Sequence, residues 1–363
     1  MTIGIVGLGS IGQRHVRNIR ALRGSQDRIL AYRSRTTPVL DLQTGSPFCD
    51  AYTVTEQLLP TRPGCGSSDA LFICNPTSEH ASWLRWGLGR GCHVFVEKPI
   101  LDAYDTPQMR RADQVVQVGY QWRFHPTLYR ILTDLCEGVI GEVLSVHVVN
   151  HEHLPDAHPW EDYRTGYAAR KDLGGGVLNC YSHEFDYVRF LFGHPTAAWG
   201  CVGGDGMALD LDGSVEETAI VVWLYKRVGW RQLVTFDLSF VGPKPERWCR
   251  IVGTDGSLTW DLIRQELTYN TPKRAGPFDT TVHHFVERNE LYLAELREFF
   301  ACIDSGQQPR TSLEDGLAVA QLIGQAKAAM GREGGHHGHT CGDRSCGHFE
   351  PGVGLEGSCA AVS

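Results

Sequence analysis

Gly7, Gly9 and Gly12, in the run Gly7-Leu8-Gly9-Ser10-Ile11-Gly12, follow a short apolar stretch and open an amphipathic one. Each glycine has its own task. Gly7 permits a tight turn, Gly9 lets the backbone come close to a pyrophosphate, and Gly12 lets the following helix pack against the strand. The amides at the helix start, from Ser10 and Ile11 onward, supply aligned donors to the anion. About 20 residues further on, an acidic side chain would normally bind the adenosine ribose 2′-hydroxyl. Here the segment reads Ala31-Tyr32-Arg33-Ser34-Arg35, and no carboxylate occurs from Ile29 to Leu40. Two guanidiniums flanking a hydroxyl suit a 2′-phosphate. NADP is therefore expected, with NAD possible; solvated arginines are the alternative.

A second chemical group is Glu97-Lys98-Pro99, which ends the apolar run His93 to Val96. In an open α/β sheet that end faces the ligand crevice, and the proline disfavours a helical Lys98. The chain holds 34 Lys and Arg, of which only 6 are Lys, so a lysine here stands out from an arginine-rich surface. The third group is Val177-Leu-Asn179-Cys180-Tyr-Ser-His183-Glu-Phe-Asp186-Tyr187, opened by Gly174 to Gly176. If helical, Asn179, Cys180, Asp186 and Tyr187 share a face with His183. A histidine so placed has neighbours that set its pKa and a possible orienting carboxylate in Asp186.

These groups need a scaffold to bring them together. Ile3 to Val6, Ile29 to Arg33, Ala70 to Cys74, His93 to Val96 and Val115 to Gly119 read as buried strands. Helices at Ile11 to Leu22 and Ser78 to Arg90 alternate with them, the βαβ grammar of a parallel sheet. Residues 1–121 are expected to be a Rossmann domain. Residues 122–330 start with a helix (Pro126 to Cys136) and a strand (Val143 to Asn150), and pass through a polar, aromatic loop. Strand-rich stretches follow from Ala197 to Tyr269, expected to form one large, mostly antiparallel sheet. Two helices, about Glu290 to Asp304 and Leu313 to Ala329, are expected to cover it. Residues 331–363 hold nine glycines among 33 positions and several His and Cys; a disordered tail without a specific metal site is expected.

Taken in order, these pieces resemble the glucose-fructose oxidoreductase / inositol dehydrogenase / rhizopine catabolism (Gfo/Idh/MocA) family of NAD(P)-dependent oxidoreductases. The resemblance rests on Gly7 to His15, Cys74-Asn75-Pro76 with His80, Glu97-Lys98-Pro99, Gly119 to Pro126, Gly174 to Gly193 and Thr311 to Gly316, and covers about residues 1–330. It implies that Lys98 hydrogen-bonds the reacting oxygen and that His183 is the general acid/base. Cys74, Asn75, His80, Glu97, Trp122 and Arg123 would belong to the cofactor crevice. Tyr163, Arg164, Tyr167 and Arg170, with Asn179 and Cys180, would meet the substrate, a sugar, nucleotide sugar or cyclic polyol. Two departures stand out. The aspartate that the family usually carries three or four residues before the histidine is replaced by Asn179 and Cys180, and the segment from Pro99 to Gly119 is about ten residues short.

Composition narrows the field further. The 363 residues carry a net charge of −8 and no dense basic block, which argues against nucleic acid and anionic membranes as partners. Hydrophobic residues make up 42%, enough for two cores, yet no apolar run is long enough to span a bilayer. The 12 cysteines are scattered and read as reduced thiols, and a cytoplasmic homodimer or homotetramer joined through the C-terminal sheet is expected. The leading expectation is hydride transfer between a secondary alcohol and a ketone. A redox-silent NADP-binding sensor, or a lyase or glycosidase using a transiently reduced cofactor, are the alternatives.

Overall fold

The computed structural model describes residues 1–33, 47, 49–54, 68–157, 162–203, 208, 209, 211, 215–271, 279–283 and 285–330. The first half is a six-stranded parallel sheet of β1 (Thr2–Val6), β2 (Arg28–Arg33), β3 (Ala51–Val54), β4 (Ala70–Ile73), β5 (His93–Val96) and β6 (Val116–Val118), ordered β3-β2-β1-β4-β5-β6. The order reverses beside β1, so the crevice at the carboxyl ends of β1 and β4 is the topological switch point of a Rossmann fold. Its strands are apolar on both faces because both are covered. Leu71 and Val94 meet Leu84 and Leu88 of α2 (His80–Gly89) in one core cluster, while Ile5, Phe72 and Phe95 meet Val16 and Ile19 of α1 (Ser10–Arg23) in the other. Between β5 and β6 the only helical piece is the four-residue α3 (Thr106–Met109), as the shortened segment implied.

In the second half, α4 (Pro126–Cys136) leads into β7 (Val143–His153), then into the short helices α5 (Leu154–Ala157) and α6 (Val177–Cys180), and α7 (Ser182–Phe192). The strands β8 (Ala197–Gly203), β9 (Thr218–Arg227), β10 (Trp230–Ser239), β11 (Val241–Gly253), β12 (Gly256–Asp261), β13 (Glu266–Asn270) and β14 (Asp279–His283) complete an eight-stranded sheet, ordered β14-β13-β12-β11-β7-β10-β9-β8. Its pairings are antiparallel except for β7 with β10, so the sheet is mixed. One face packs Val146, Trp223, Phe236 and Ile251 against Leu178, Phe185 and Val188 of α6 and α7.

The last two helices divide their work. Helix α9 (Leu313–Met330) lies on the large sheet beside β8, as expected, but α8 (Arg288–Ser305) crosses back to the parallel sheet. There Leu296, Phe299 and Phe300 join the Ile5 and Phe72 core, with Phe299 edge-on to Phe72 and Phe95. The expectation that both helices cover the large sheet is corrected: amphipathic periodicity identifies a helix with a buried face, not which sheet buries it. Val118 N–H also donates to Thr311 O at 2.9 Å, so the segment after α8 ties the edge of the parallel sheet to the second half.

Candidate active site

At the nucleotide end, the glycines behave as their spacing requires. Gly7 has φ +85°, a conformation costly for other residues, and a Cβ at Gly12 would lie 2.1 Å from Gly7 O. At Gly9 a Cβ would meet nothing within 4 Å, so the loop leaves open space there. Helix α1 starts after Gly9 with no side-chain cap, and Ser10 is exposed. The first-turn amides of Ser10 and Ile11 thus have no competing side-chain acceptor, which fits a dinucleotide pyrophosphate. Arg33 ends β2 at this edge, while Ser34 and Arg35 lie outside the described residues.

The walls of the crevice are tied together by polar contacts. His15 on α1 is fully buried and meets Glu97 Oε1 through Nε2 at 2.7 Å, joining the first helix to the end of β5. Buried His80 approaches both Pro99 O and Asn75 O at 2.9 Å, bracing the loop after β4 against the segment after Lys98. Asn75 donates to Glu79 Oε2 at 2.6 Å. Cys74 is packed under Gly12, and burial pushes its thiol well above the usual range.

At the chemical end, Lys98 leaves β5 and donates from Nζ to Cys180 O at 2.7 Å. Burial pushes its ammonium below the ordinary lysine range. The predicted single helix through His183 is in fact two: α6 stops at Cys180, Tyr181 breaks the pattern with ψ 29°, and α7 begins at Ser182. That break exposes the Cys180 carbonyl to Lys98. The one-face arrangement expected for Asn179, Cys180 and His183 is therefore corrected. Asn179 donates through Nδ2 to Gly174 O and Gly175 O at 3.0 and 3.1 Å, bracing the glycine turn. The Cys180 thiol is raised by burial, an effect opposed by Lys98 and by a hydrogen bond with Tyr167.

His183 is 7% exposed, stands edge-on to Tyr120 at 5.6 Å, and its buried Nδ1 has no partner. Burial holds its pKa well below the usual imidazole range, and Lys98, Arg247 and Arg288 push it the same way. Both effects favour the neutral ring, the form that can accept a proton. Arg247 on β11 and Arg288 at the start of α8 had escaped the sequence analysis. Each sits far along the chain from every motif, and no local pattern marks it.

Other expected site residues are engaged elsewhere. Arg123 is buried and forms a two-pronged ion pair with Asp186, Nε to Oδ2 and Nη2 to Oδ1, both 2.8 Å. This corrects two expectations: Arg123 does not line an open crevice, and both carboxylate oxygens of Asp186 face Arg123 rather than orienting His183. Trp122 lies under the Arg247 guanidinium at 4.9 Å and beside Trp260. Tyr163 donates its hydroxyl to Leu209 O at 2.8 Å, Arg164 lies over the Tyr163 ring, and Arg170 pairs with Asp172 in solvent. Of the four loop residues, only Tyr167 reaches the Cys180 end of the site.

Known proteins share this two-part fold. Residues 1–120 match the model described as the oxidoreductase family, NAD-binding Rossmann fold, and residues 134–334 match its C-terminal alpha/beta domain. A myo-inositol 2-dehydrogenase of Thermotoga maritima is 27% identical over 340 residues, covering 90% of this chain and 95% of the relative. A D-xylose 1-dehydrogenase (NADP(+)) of Haloferax volcanii is 26% identical over 343 residues, covering 89% and 95%. Among solved structures, a levoglucosan dehydrogenase in complex with NADH and levoglucosan superposes with a TM-score of 0.74 at 19% identity, covering 92% of this chain and 98% of that one.

Proposed function

The chain belongs to the Gfo/Idh/MocA oxidoreductase family, and from that premise we propose that it interconverts a secondary alcohol and a ketone on a sugar, nucleotide sugar or cyclic polyol. The observation that carries this is that Lys98, just after β5, acts on buried His183 and lies on the same carboxyl edge of the parallel sheet as the glycine turn after β1, which leaves open space at Gly9. A bound nicotinamide supplies the hydride acceptor or donor. Gly7, Gly9, Gly12 and the first-turn amides would hold its pyrophosphate, and Arg33 with Ser34 and Arg35 the 2′-phosphate of NADP.

The chain's own residues then handle the proton and the charge. In the oxidising direction neutral His183 takes the hydroxyl proton, while the Lys98 ammonium donates to the oxygen as negative charge develops on it. Lys98 is aimed by the Cys180 carbonyl, which occupies one of its three N–H donors and leaves two. The surroundings favour the neutral imidazole, so carbonyl reduction requires His183 to take up a proton before it donates one.

The outer face of the large sheet supports a homodimer or homotetramer. Trp199, Ile220 and Leu233 are half exposed on neighbouring strands β8, β9 and β10, an apolar patch typical of an association surface. The chemistry is tested by incubating the protein with NADP or NAD and a panel of polyols, aldoses and nucleotide sugars, following absorbance of the reduced nicotinamide. Turnover supports the proposal; tight cofactor binding with no turnover anywhere in a broad panel rejects it.

A further inference from the structure

His80 faces a pair of partners that a neutral imidazole cannot both satisfy. The residue is 1% exposed, its Nδ1 lies 2.9 Å from Pro99 O, and its Nε2 lies 2.9 Å from Asn75 O. Both partners are carbonyl oxygens, which only accept. A neutral ring has one N–H and one lone pair, so it answers one carbonyl and turns a lone pair on the other; only the imidazolium donates to both. Burial disfavours that charge and pushes the ring below the ordinary histidine range, while the two carbonyls and Glu97 pull the other way.

The two carbonyls belong to the two walls of the crevice. Asn75 follows β4 and packs on the glycine turn, where a Cβ at Gly7 would lie 2.9 Å from both Asn75 N and Asn75 Cα. Pro99 follows Lys98, whose Nζ donates to Cys180 O at 2.7 Å. His80 thus stands between the turn that suits a pyrophosphate and the backbone that carries the lysine. Among the groups that act on the ring, Glu97 favours the charged form and Lys98 opposes it. Charges on the other surrounding elements are engaged or solvated. Glu79, on the turn ahead of α2, accepts from Asn75 at 2.6 Å, and Arg85 and Asp105, between α2 and α3, pair at 2.7 Å. The turn Lys171–Leu173, which packs against Thr77–Glu79, carries Lys171 and Asp172 exposed.

We propose that His80 is a positioning residue that couples dinucleotide binding to the setting of Lys98: it takes up one proton when a dinucleotide binds at the glycine turn, and both ring N–H groups then donate, Nδ1 to Pro99 O and Nε2 to Asn75 O. The proposal rests on the dinucleotide-binding reading of that turn. The proton comes from solvent and returns to it on release, and no other bond is made or broken. A pyrophosphate brings negative charge to the turn that Asn75 buttresses, and negative charge favours an imidazolium. Once charged, the ring ties the loop after β4 to the segment after Lys98 with two charge-assisted bonds in place of one neutral bond. Without the dinucleotide, burial returns the ring to its neutral form and one of the two carbonyls loses its donor.

Calorimetry reads the proton without turnover. NADH and NADPH are each titrated into the full chain near neutral pH in buffers of different ionisation enthalpy, and the slope of the observed heat against that enthalpy gives the protons exchanged. The unaltered protein should take up a net fraction approaching about one proton per NADH, and NADH affinity should fall by up to about 10-fold per pH unit as pH rises. The 2′-phosphate of NADPH can only release a proton on meeting cations, so it does not imitate uptake. His80→Gln keeps side-chain N–H donors but cannot be charged; uptake should vanish and the pH dependence flatten. His183→Asn should leave uptake in place. If His80→Gln does not fold, NMR of the unaltered protein with 15N-labelled histidine reads the same event: one solvent-shielded ring should gain a second N–H when NADH is added. Binding without proton uptake, uptake that persists in His80→Gln, uptake lost in His183→Asn, or no shielded ring gaining an N–H overturns the proposal. Absence of binding by either cofactor sinks the dinucleotide reading, and the proposal with it.

Discussion

Replacing Asp186 by Asn separates two roles that look alike in the sequence. In the structure the Arg123 and Asp186 side chains are 4% and 2% exposed and joined by two 2.8 Å bonds. Asn keeps the shape and one acceptor but removes the charge, leaving a buried guanidinium facing an amide. The nearest other carboxylate, Asp315, lies 3.8 Å from Arg123 Nη2 and is already bound to Arg189 at 2.6 Å. Breaking a buried pair costs about 3–5 kcal/mol; the retained acceptor and Asp315 place this case near the lower end, about 3 kcal/mol. At roughly 2–4 °C per kcal/mol, the melting temperature should fall by about 6–12 °C. Well below the melt, turnover should change little, because Asp186 does not touch His183. Amidating a carboxylate that does orient a catalytic imidazole costs on the order of 10⁴ in turnover. Melting by circular dichroism, paired with cofactor-linked turnover on an active panel substrate, reads both effects. Turnover reduced more than about 100-fold with an unmoved melt would refute the reasoning and return Asp186 to the imidazole.

Gly12→Ala puts a methyl 2.1 Å from Gly7 O, a backbone atom that cannot swing away; NADPH affinity by fluorescence titration should fall about 10-fold or more, about 1.4 kcal/mol. Arg33→Ala should weaken NADPH binding several-fold and leave NADH binding nearly unchanged, since only the 2′-phosphate is lost; equal affinity for both cofactors in the unaltered protein removes this role. His183→Ala should lower oxidative turnover by about 10²–10⁴. Because the folded pKa of His183 is depressed below 6.5, its contribution to stability is present above that pH and is lost as pH falls below it toward the folded value. Buried His80 is shifted in the same direction, so unfolding free energy should decline on acidification below pH 6.5, and less steeply in His183→Asn.

Local sequence grammar carried much of this molecule. Gly7, Gly9 and Gly12 are legible because only glycine tolerates that turn and that helix approach, and α4 runs over Pro126–Cys136 as its pattern required. The place of Lys98, just after a buried strand at the carboxyl edge of the parallel sheet, is legible from the apolar run before it. What stayed hidden depends on long-range partners. The pairing of Arg123 with Asp186 spans 63 residues, and the approach of Arg247 and Arg288 to His183 comes from other elements entirely. The break at Tyr181 is a local event, yet nothing in Cys180-Tyr-Ser marks it, since none of those residues is a helix breaker; the carbonyl it frees is answered by Lys98, 82 positions away. Arg123 and Asp186 could each be read from sequence as site residues because a charged side chain near a motif looks functional until its partner is known.

The central claim is that Lys98 and His183 serve a hydride transfer at a carbinol carbon, and isotope transfer tests it most directly. A substrate found active in the panel is prepared with deuterium at the oxidised carbon and incubated with NADP or NAD, and the reduced cofactor is examined by mass spectrometry. The account predicts one deuterium in the nicotinamide of the unaltered protein, with a primary isotope effect when chemistry limits the rate. It also predicts a loss of about 10²–10³ in turnover for Lys98→Ala at nearly unchanged cofactor affinity. Label retained in the substrate or lost to water while turnover proceeds, or full turnover by Lys98→Ala, would contradict it.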